Sequence, residues 1–290
     1  MYYNEDIILD LRLNYLDQFI DYFVIVESTF NHKGEKKKLN FDINKFSNFK
    51  KKIRYLILDD LPKNLEEVKK DDNETEKSRK YILNGYKRDN YQRNHISQGI
   101  NDAKPEDIIL ISDIDEVPNL KKINIKSIKK KLIFFNQKMC YYKFNLYQKN
   151  LNWTGTRACK KKYLISPQWL RDIKPKSYSF WRLDALFSKF KYINIHFINN
   201  GGWHFSYVNT PQLIEEKLRS YTHHREYDLN PIGVSNIEER INNRESIYNL
   251  CIDQRKNQFS QGIKLDILNL NELPEYIGEN FDKFKQWLDS

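Results

Sequence analysis

The sequence feature that most constrains the fold is a short apolar run that ends abruptly in acidic residues. Residues 107–112 read DIILIS, and residues 113–118, which follow directly, read DIDEVP. A continuous apolar run of this length, rich in β-branched side chains, is typical of a strand buried on both faces of an α/β sheet. Open α/β sheets bind their ligands beyond the carboxyl ends of the strands. The run therefore predicts a buried strand with a functional site at its end.

Asp113 and Asp115 stand two residues apart at that strand end. If the backbone stays extended, both side chains lie on one face and Ile114 turns into the core. Two carboxylates on one face can bind a hard divalent cation, which in turn stabilises the charge of a departing diphosphate. An Asp-x-Asp alone is more often a turn or a surface feature, but here Glu116 is adjacent and Pro118 stops the strand. This context favours a metal-binding motif.

A long helix is predicted over residues 78–101, and a polar pair interrupts its apolar stripe. Asp89 and Arg93 occupy positions on the face where the periodicity predicts apolar residues. Two interpretations stay open. The pair is either an i,i+4 ion pair at the edge of the helix, or it faces inward and binds a ligand.

His204 follows two glycines and a tryptophan, and it also has two interpretations. It is either a hydrogen-bonded core histidine behind Trp203 or a third metal ligand supplied from a distant part of the chain. Mn²⁺ accepts mixed carboxylate and imidazole ligands more readily than Mg²⁺ does. The second interpretation therefore predicts a preference for manganese.

Length and composition bound the architecture. With 290 residues, of which 40% are hydrophobic, the chain can bury one large α/β core and has room for a small helical appendage. Cys140, Cys159 and Cys251 show no CxxC spacing, which argues against a disulfide framework or a structural zinc site and favours a reducing compartment. The sequence shows neither a secretory leader nor an apolar run of about eighteen residues. We therefore expect a cytoplasmic protein without a membrane span.

The net charge of +10 is compatible with several classes of partner. Basic residues attract nucleic acid, anionic membrane surfaces and phosphorylated substrates. Here they are scattered in short runs, such as residues 36–38 and 160–162, which is more typical of a solvated surface. No RNA- or DNA-binding motif is recognisable, so we expect no nucleic-acid partner. The nine glycines form no phosphate-binding loop of the P-loop kind.

Three segments in series resemble glycosyltransferase family 17, whose best-known members are the bisecting β-1,4-N-acetylglucosaminyltransferases. These segments are residues 27–30 (ESTF, followed by Gly34 and Leu39), residues 111–118 and residues 202–206 (GWHFS). Looser matches are residues 89–93, residues 168–171 and the helix that begins near Pro211 and contains Lys217. The resemblance covers about residues 6–241 in the order of the family.

The resemblance implies a GT-A arrangement, which is an α/β fold with a Rossmann-like mixed sheet flanked by helices. In that arrangement the Asp-x-Asp lies at the end of a strand. We expect a single catalytic domain over residues 1–250, with a helical C-terminal extension, residues 251–290, packed on it.

The resemblance also implies a metal site. Asp113 and Asp115 are expected to contact the cation and the diphosphate of the donor, and His204 is a further metal or phosphate partner. The expected cofactor is Mn²⁺ or Mg²⁺.

Further residues are implied to bind the donor or the sugar. The expected donor-binding residues are Glu27, Asp89, Arg93 and Arg171. A guanidinium group such as that of Arg171 can bind two phosphate oxygens at once. Trp153 and Trp203 offer flat faces on which a sugar can stack.

The implied activity is a metal-dependent, inverting sugar transfer, with N-acetylglucosamine from UDP-GlcNAc as the expected donor group and a glycan or glycoprotein hydroxyl as the acceptor. A carboxylate must take the proton of that hydroxyl. Glu116, Asp172 and Asp184 are the candidates, and Glu116 is the nearest in sequence to the metal motif. Animal members of the family carry an N-terminal membrane anchor that this sequence does not show, so their N-glycan acceptor is not assumed.

A catalytically inactive carbohydrate-binding protein on the same fold is the alternative function. Such a protein would use the same sheet and the same aromatic side chains without chemistry. The presence of Asp113, Asp115 and His204 argues against it.

Overall fold

The structure is a computed structural model that describes residues 2–121, 123–179, 181–249, 259 and 261–290, with the backbone alone at residues 185 and 186. The expected domain boundary between residues 250 and 251 lies outside the described residues, and so does Cys251.

The strands of the described part of the chain are β1 (Phe23–Ser28), β2 (Ile53–Leu58), β3 (Ile108–Ile111), β4 (Glu116–Pro118), β5 (Leu132–Tyr141), β6 (Leu146–Lys160), β7 (Ile195–Ile198), β8 (Gly202–Ser206) and β9 (Asp266–Ile267). The α-helices are α1 (Asp6–Leu16), α2 (Glu74–His95), α3 (Pro167–Asp172), α4 (Leu183–Leu186), α5 (Pro211–Ser220), α6 (His224–Leu229), α7 (Gly233–Asn242), α8 (Glu275–Glu279) and α9 (Phe281–Phe284). The longest strands, β5 and β6, lie in the middle of the chain.

The strands form a parallel pair and a larger mixed sheet. β1 pairs with β2, and the mixed sheet has the order β3-β6-β5-β8-β4, with β7 also on β5 and β9 also on β6. β5 runs antiparallel to β6 and parallel to β7 and β8. Leu9 and Leu13 of α1 share a core cluster with Val117 of β4 and Phe135 of β5, so helices cover the sheet. The predicted α/β fold with a mixed sheet flanked by helices is confirmed.

β3 is the strand that the apolar run predicts. Ile109 and Ile111 pack into one core cluster, whereas Ile108 and Leu110 pack against another. Both faces of the strand are therefore covered, which explains why the run has no polar alternation. Its neighbour β6 runs antiparallel, which differs from the parallel neighbours that a continuous apolar run usually has.

α2 begins earlier than the predicted start at residue 78. The side chain of Asn73 accepts a hydrogen bond from the N–H of Glu76 at 2.9 Å and so caps a helix that starts at Glu74, four residues before that point. The α-helix ends at His95, and a 3-10 turn over Ile96–Ile100 completes the predicted length. Because of this cap, α2 also includes residues 74–77, which belong to the charged segment before residue 78.

The described residues from 261 onward pack on the rest of the chain. β9 pairs with β6, and Ile277 of α8 and Phe284 of α9 lie in the core cluster that also contains α1. No helix in the described ranges is long and apolar enough to cross a lipid bilayer.

Gly202 sets the position of β8 against β4. Its φ is +125°, and a Cβ atom at this position would lie 2.1 Å from the carbonyl oxygen of Val117. Only glycine fits such a contact and such a backbone angle. β8 therefore pairs closely with β4, and His204 lies opposite Glu116 in the register. This pairing brings the acidic segment and the GWHFS segment together.

Candidate active site

The acidic segment forms a tight turn between β3 and β4. The N–H of Glu116 donates to the carbonyl oxygen of Asp113 at 3.2 Å, and the N–H of Asp113 donates to Oε2 of Glu116 at 3.0 Å. These two bonds close a turn, so the backbone is not extended here, in contrast to the expectation from the sequence. Ile114 nevertheless lies in the core, as expected. Asp113 and Asp115 leave the turn towards different partners.

Asp113 lies between two arginines from distant parts of the chain. Its Oδ1 accepts a hydrogen bond from Arg93 of α2 at 3.1 Å, and its Oδ2 accepts one from Arg171 of α3 at 3.0 Å. Its side chain is 33% exposed, whereas those of the arginines are 9% and 11% exposed. Burial alone would raise the pKa of Asp113, but the charges of Arg171 and Arg93 outweigh it and hold the pKa below its ordinary value. Asp113 is therefore an ionised carboxylate that reaches solvent.

Arg171 is held by a second, fully buried carboxylate. Its two Nη atoms donate to the two oxygens of Glu116, each at 2.8 Å, and Glu116 has no exposed surface. Glu116 also accepts a hydrogen bond from Nε1 of Trp153 at 2.9 Å. Burial alone would lower the pKa of Arg171, but Glu116 and Asp113 raise it above its ordinary value. The guanidinium group thus has a fixed position beside Asp113.

α3 is a short helix whose two ends are held by side chains. Ser166 caps its start by accepting from the N–H of Trp169 at 3.1 Å, and Pro167 occupies the first turn. At its other end, Arg157 of β6 donates to the carbonyl oxygens of Leu170, Arg171 and Ile173. A buried cation that binds the last carbonyl groups of a helix stabilises that end. Arg157 therefore fixes the backbone from which Arg171 projects.

Asp89 and Arg93 fulfil both of the interpretations that the sequence leaves open. Arg93 donates to Asp89 at 2.8 Å, which is an i,i+4 ion pair on α2. The same guanidinium group donates to Gln168 of α3 and to Asp113. Because Arg93 joins α2, α3 and the acidic turn, the polar pair in the helical stripe faces the candidate site.

Asp115 pairs with His204 across β4 and β8. Oδ1 of Asp115 lies 3.4 Å from Nε2 of His204, and the other ring nitrogen, Nδ1, is buried without a hydrogen-bond partner among the described residues. Burial alone would raise the pKa of Asp115 and lower that of His204, but their attraction reverses both shifts. The ring of His204 also packs against that of Trp153, with 5.0 Å between the centroids. Nε2 of His204 therefore pairs with Asp115, and Nδ1 has no hydrogen-bond partner among the described residues.

Two basic residues near the site carry no predicted role. Arg12 of α1 donates to the carbonyl oxygen of Glu116, and burial lowers its pKa to about 10 although Glu116, Asp115 and Asp113 oppose that shift. Lys217 of α5 pairs with Glu5 at 2.8 Å, and its pKa is raised by Glu5, Asp115 and Asp113 against the opposing effect of burial. The sequence signal for both was a lone cation in an apolar helical stripe.

Glu27 and Trp203 lie among other partners. Glu27 has no exposed surface, and its oxygens accept from the N–H groups of Asn40 and Phe41 and from the hydroxyl of Tyr55. Trp203 is buried, and its indole N–H donates to the carbonyl oxygen of Glu272 at 2.9 Å. None of these contacts reaches the acidic turn. The donor-binding role of Glu27 and the stacking role of Trp203 stay predictions, as does that of Trp153, whose indole N–H is bound to Glu116.

A small cavity opens at the carboxyl ends of β1 and β2, beside α2. Its lining includes Ser28, His32, Asp60, Tyr91 and Gln92. Nε2 of His32 lies 3.3 Å from Oε1 of Gln92 and 3.8 Å from Oδ1 of Asp89. A series of side-chain contacts, from His32 to Asp89, from Asp89 to Arg93 and from Arg93 to Asp113, therefore connects this cavity to the acidic turn.

The three candidate bases differ in environment. Glu116 is buried, and both of its oxygens are bound to Arg171. Asp172 is exposed at the end of α3 and accepts a hydrogen bond from Nε2 of Gln168 at 2.7 Å. Asp184 forms ion pairs with Arg182 and Lys191 outside the acidic turn.

The acidic turn brings two carboxylates and one imidazole into the same region without a complete set of protein ligands for a metal ion in the described part of the chain. Among the described residues, no group of three or more His, Cys, Asp and Glu side chains could hold a metal ion. Two carboxylates, Asp113 and Asp115, are nevertheless within one turn, and Nδ1 of His204 lacks a partner in the described part of the chain. Mg²⁺ and similar hard cations are often bound by one or two carboxylates together with substrate phosphates.

A mixed sheet flanked by helices, with acids at a strand end and buried arginines around them, is consistent with an α/β glycosyltransferase. The family model described as glycosyltransferase family 17 matches residues 1–289. The chain belongs to glycosyltransferase family 17, which implies sugar transfer from a nucleotide-sugar donor to a glycan acceptor. No curated protein and no solved structure matches the chain significantly. The resemblance seen in the sequence is thus confirmed at the level of the family.

Proposed function

We propose that this chain transfers N-acetylglucosamine from UDP-GlcNAc to a glycan or glycoprotein hydroxyl, with inversion at the anomeric carbon, on a GT-A arrangement and with Mn²⁺ or Mg²⁺ as cofactor. The observation that carries the proposal is the environment of Asp113, a solvent-reaching carboxylate between two buried arginines and two residues before Asp115. A nucleotide-sugar diphosphate needs guanidinium groups for its oxygens and carboxylates for its cation. Both kinds of group meet at this turn.

Within this proposal each group at the turn has a separate task. Asp113 and Asp115 would hold the cation, and Nδ1 of His204 would add a further ligand when the imidazole is neutral, since the protonated ring has no free lone pair. When bound, the cation offsets the negative charge of the departing diphosphate. Arg93 and Arg171 supply positive charge beside the phosphate oxygens, and each would donate to them in exchange for the hydrogen bond that it now makes to Asp113. Burial of these arginines strengthens that interaction, since water screens it less.

The nucleoside is proposed to bind at the carboxyl ends of β1 and β2, where the cavity of about 10 Å³ has room for one water molecule and must widen to admit a base or a ribose. Its polar lining, with His32 and Gln92, can hydrogen-bond a base or a ribose. Asp89 lies between this cavity and Arg93, which is consistent with a donor-binding role. Glu27 contributes to donor binding by anchoring residues 40 and 41 after β1.

Accessibility favours Asp172 as the base that accepts the proton of the acceptor hydroxyl. A general base must come within hydrogen-bond reach of that hydroxyl. Glu116 meets this requirement only if it breaks its bonds to Arg171, whereas Asp172 is exposed one residue further along α3. Asp172→Asn should lower kcat with little change in donor affinity, whereas Glu116→Gln should weaken donor binding by releasing Arg171.

Calorimetric titration with a panel of nucleotide-sugars tests the proposal. Each donor is titrated with Mn²⁺, with Mg²⁺ and with a chelator, on the unaltered chain, on Asp115→Ala and on the matched control Asp71→Ala, which replaces an exposed aspartate outside the site. We expect cation-dependent binding of UDP-GlcNAc that Asp115→Ala abolishes and Asp71→Ala preserves.

Two results would contradict the proposal in different ways. Cation-dependent binding of another nucleotide-sugar would mean that UDP-GlcNAc is not the donor, whereas the proposed roles of the cation and the site residues would stand. Absence of binding to every donor, together with binding of free glycans, would favour the alternative of an inactive carbohydrate-binding protein.

A further inference from the structure

Between α3 and β7 lies a segment that exposes large apolar side chains; it is called the lobe here and consists of residues 174–179 and 181–191. The exposed fractions are 76% for Trp181, 69% for Leu183, 89% for Phe187 and 44% for Phe190. Scattered single apolar residues on a surface need no explanation, but clusters of this kind mark interaction sites. Four large apolar side chains within ten positions therefore keep about half or more of their surface open to solvent.

The stem of the lobe is fixed to the body of the protein. The N–H of Lys174 donates to the carbonyl oxygen of Phe190 at 2.8 Å, and Nε1 of Trp169 in α3 donates to the carbonyl oxygen of Lys189 at 3.1 Å. The ring of Trp169 also packs edge-on against Tyr192, with 5.8 Å between the centroids. The two ends of the lobe therefore meet at α3, and the backbone of α4 lies between them in the sequence.

The lobe is also strongly basic. Its charged residues are Lys174, Lys176, Arg182, Lys189, Lys191 and a single acid, Asp184. Asp184 is shared by Arg182 at 2.7 Å and Lys191 at 2.6 Å. The other three lysines have no acidic partner among the described residues. Exposed apolar side chains and unneutralised cations thus occur together in one short segment.

We propose that this lobe docks the protein on an anionic lipid surface. Tryptophan and phenylalanine side chains enter the boundary between headgroups and acyl chains, and neighbouring lysines attract the phosphate groups of the lipids. Exposed apolar side chains next to lysines without acidic partners in the described part of the chain match the acyl boundary and the anionic headgroups of a lipid surface. The lobe contributes none of the side chains that contact Asp113, so the inference does not depend on the donor or the cation.

Co-sedimentation with lipid vesicles tests the inference on the full chain. One set of vesicles contains about one third phosphatidylglycerol in phosphatidylcholine, and the other contains phosphatidylcholine alone. We expect the protein to sediment with the anionic vesicles and at least about tenfold less with the neutral ones, and we expect added salt to release it.

Two lobe variants and two matched controls assign the binding to the lobe. Trp181→Ser/Phe187→Ser and Lys174→Glu/Lys189→Glu should each lower vesicle binding at least about tenfold. The apolar control is Phe281→Ser, which is 49% exposed in α9. The charge control is Lys63→Glu/Lys70→Glu, before the start of α2. α2 has 22 residues and spans about 33 Å, and its other end contacts α3. Both controls should bind as the unaltered chain does.

Unaltered binding by both lobe variants would overturn the inference, and so would an unaltered chain that stays in the supernatant with anionic vesicles. In the second case a protein partner becomes the better explanation of the exposed side chains. Because the substitutions are at exposed positions, thermal unfolding should be unchanged and excludes misfolding as the cause. Donor binding in solution should also be unchanged, so failure of the lipid test is distinguishable from failure of the proposed activity.

Discussion

Arg171 and Glu116 form a two-armed ion pair in which each Nη atom of the arginine lies 2.8 Å from one oxygen of the carboxylate. The pair joins α3 to β4, and it leaves Arg171 within 3.0 Å of Asp113. Glu116 therefore fixes the orientation of the Arg171 guanidinium group. In this orientation Arg171 donates a hydrogen bond to Asp113, which reaches solvent.

Loss of Arg171 should destabilise the protein as well as impair donor binding. Arg171→Gln leaves Glu116 buried without its ionic partner, and we expect the free energy of unfolding to fall by about 3–5 kcal/mol. The double variant Arg171→Gln/Glu116→Gln should recover part of that loss, because two amides can bond to each other, but it should not recover donor binding. Urea unfolding and donor calorimetry on the same samples check both statements. A double variant as unstable as the single one would mean that the pair is not the cause.

Removal of divalent cations should stop sugar transfer. With a chelator in excess, we expect activity to fall by a factor of about 100 or more and to return when Mn²⁺ is added, because Arg93 and Arg171 are already paired with carboxylates and the metal would supply the remaining positive charge at the diphosphate. Asp113→Asn should lower activity by a similar factor at all Mn²⁺ concentrations, whereas Asp71→Ala should behave as the unaltered chain. Full activity in the chelator would exclude the proposed cofactor.

The stability of the protein should decrease in mild acid because of His32. Burial lowers the pKa of His32 below its ordinary value of 6.5, and Arg93 adds to this although Asp89 opposes it. As the pH falls, the unfolded chain therefore takes up this proton before the folded protein does, and stability is lost from about pH 6.5 down to the lowered pKa. Urea unfolding of His32→Gln at several pH values from about 7 to about 5 should show a shallower decrease. The control His196→Gln replaces an exposed histidine, and its stability should decrease with falling pH as steeply as that of the unaltered chain.

Gly202 should tolerate no side chain. Gly202→Ala places a Cβ atom 2.1 Å from the carbonyl oxygen of Val117 at a φ of +125°, so β8 must shift away from β4. We expect the free energy of unfolding to fall by more than about 3 kcal/mol and donor binding to be weakened, because the shift separates His204 from Asp115. The matched control is Gly278→Ala in α8, where the nearest atom would lie at 3.7 Å and the helix should gain up to about 1 kcal/mol. Equal stability of the two variants would contradict this account.

Several parts of the site could be predicted from the sequence because they depend on local patterns. The apolar run before Asp113 predicted β3, and the polar pair in the stripe of α2 singled out Asp89 and Arg93, although an ion pair at the helix edge and an inward-facing pair both stayed open. Burial of both faces of a strand, or of one face of a helix, leaves a periodic trace in the sequence. The three segments shared with family 17 then identified the class of enzyme.

Other parts could not be predicted, because they depend on which distant residues meet. The turn at Asp113 is closed by the side chain of Glu116, which competes locally with an extended backbone. Glu27 lies inside β1, next to its last residue, and not beyond the strand, and its oxygens are bound by residues 40 and 41 and by Tyr55. A single sequence does not indicate which donor a buried carboxylate will find.

The sequence by itself determined the family, the strand that carries the acids and the helix that carries Arg93. Tertiary structure alone decided that Arg171, 58 residues after Asp113, lies beside it, and that Arg12 and Lys217 add positive charge to the same region. The physical reason is that burial of a strand or helix face requires apolar residues at regular positions, and this pattern is visible in the sequence. The pairing of buried charges is a property of distances in the folded state, and only the assembled sheet and helices fix those distances.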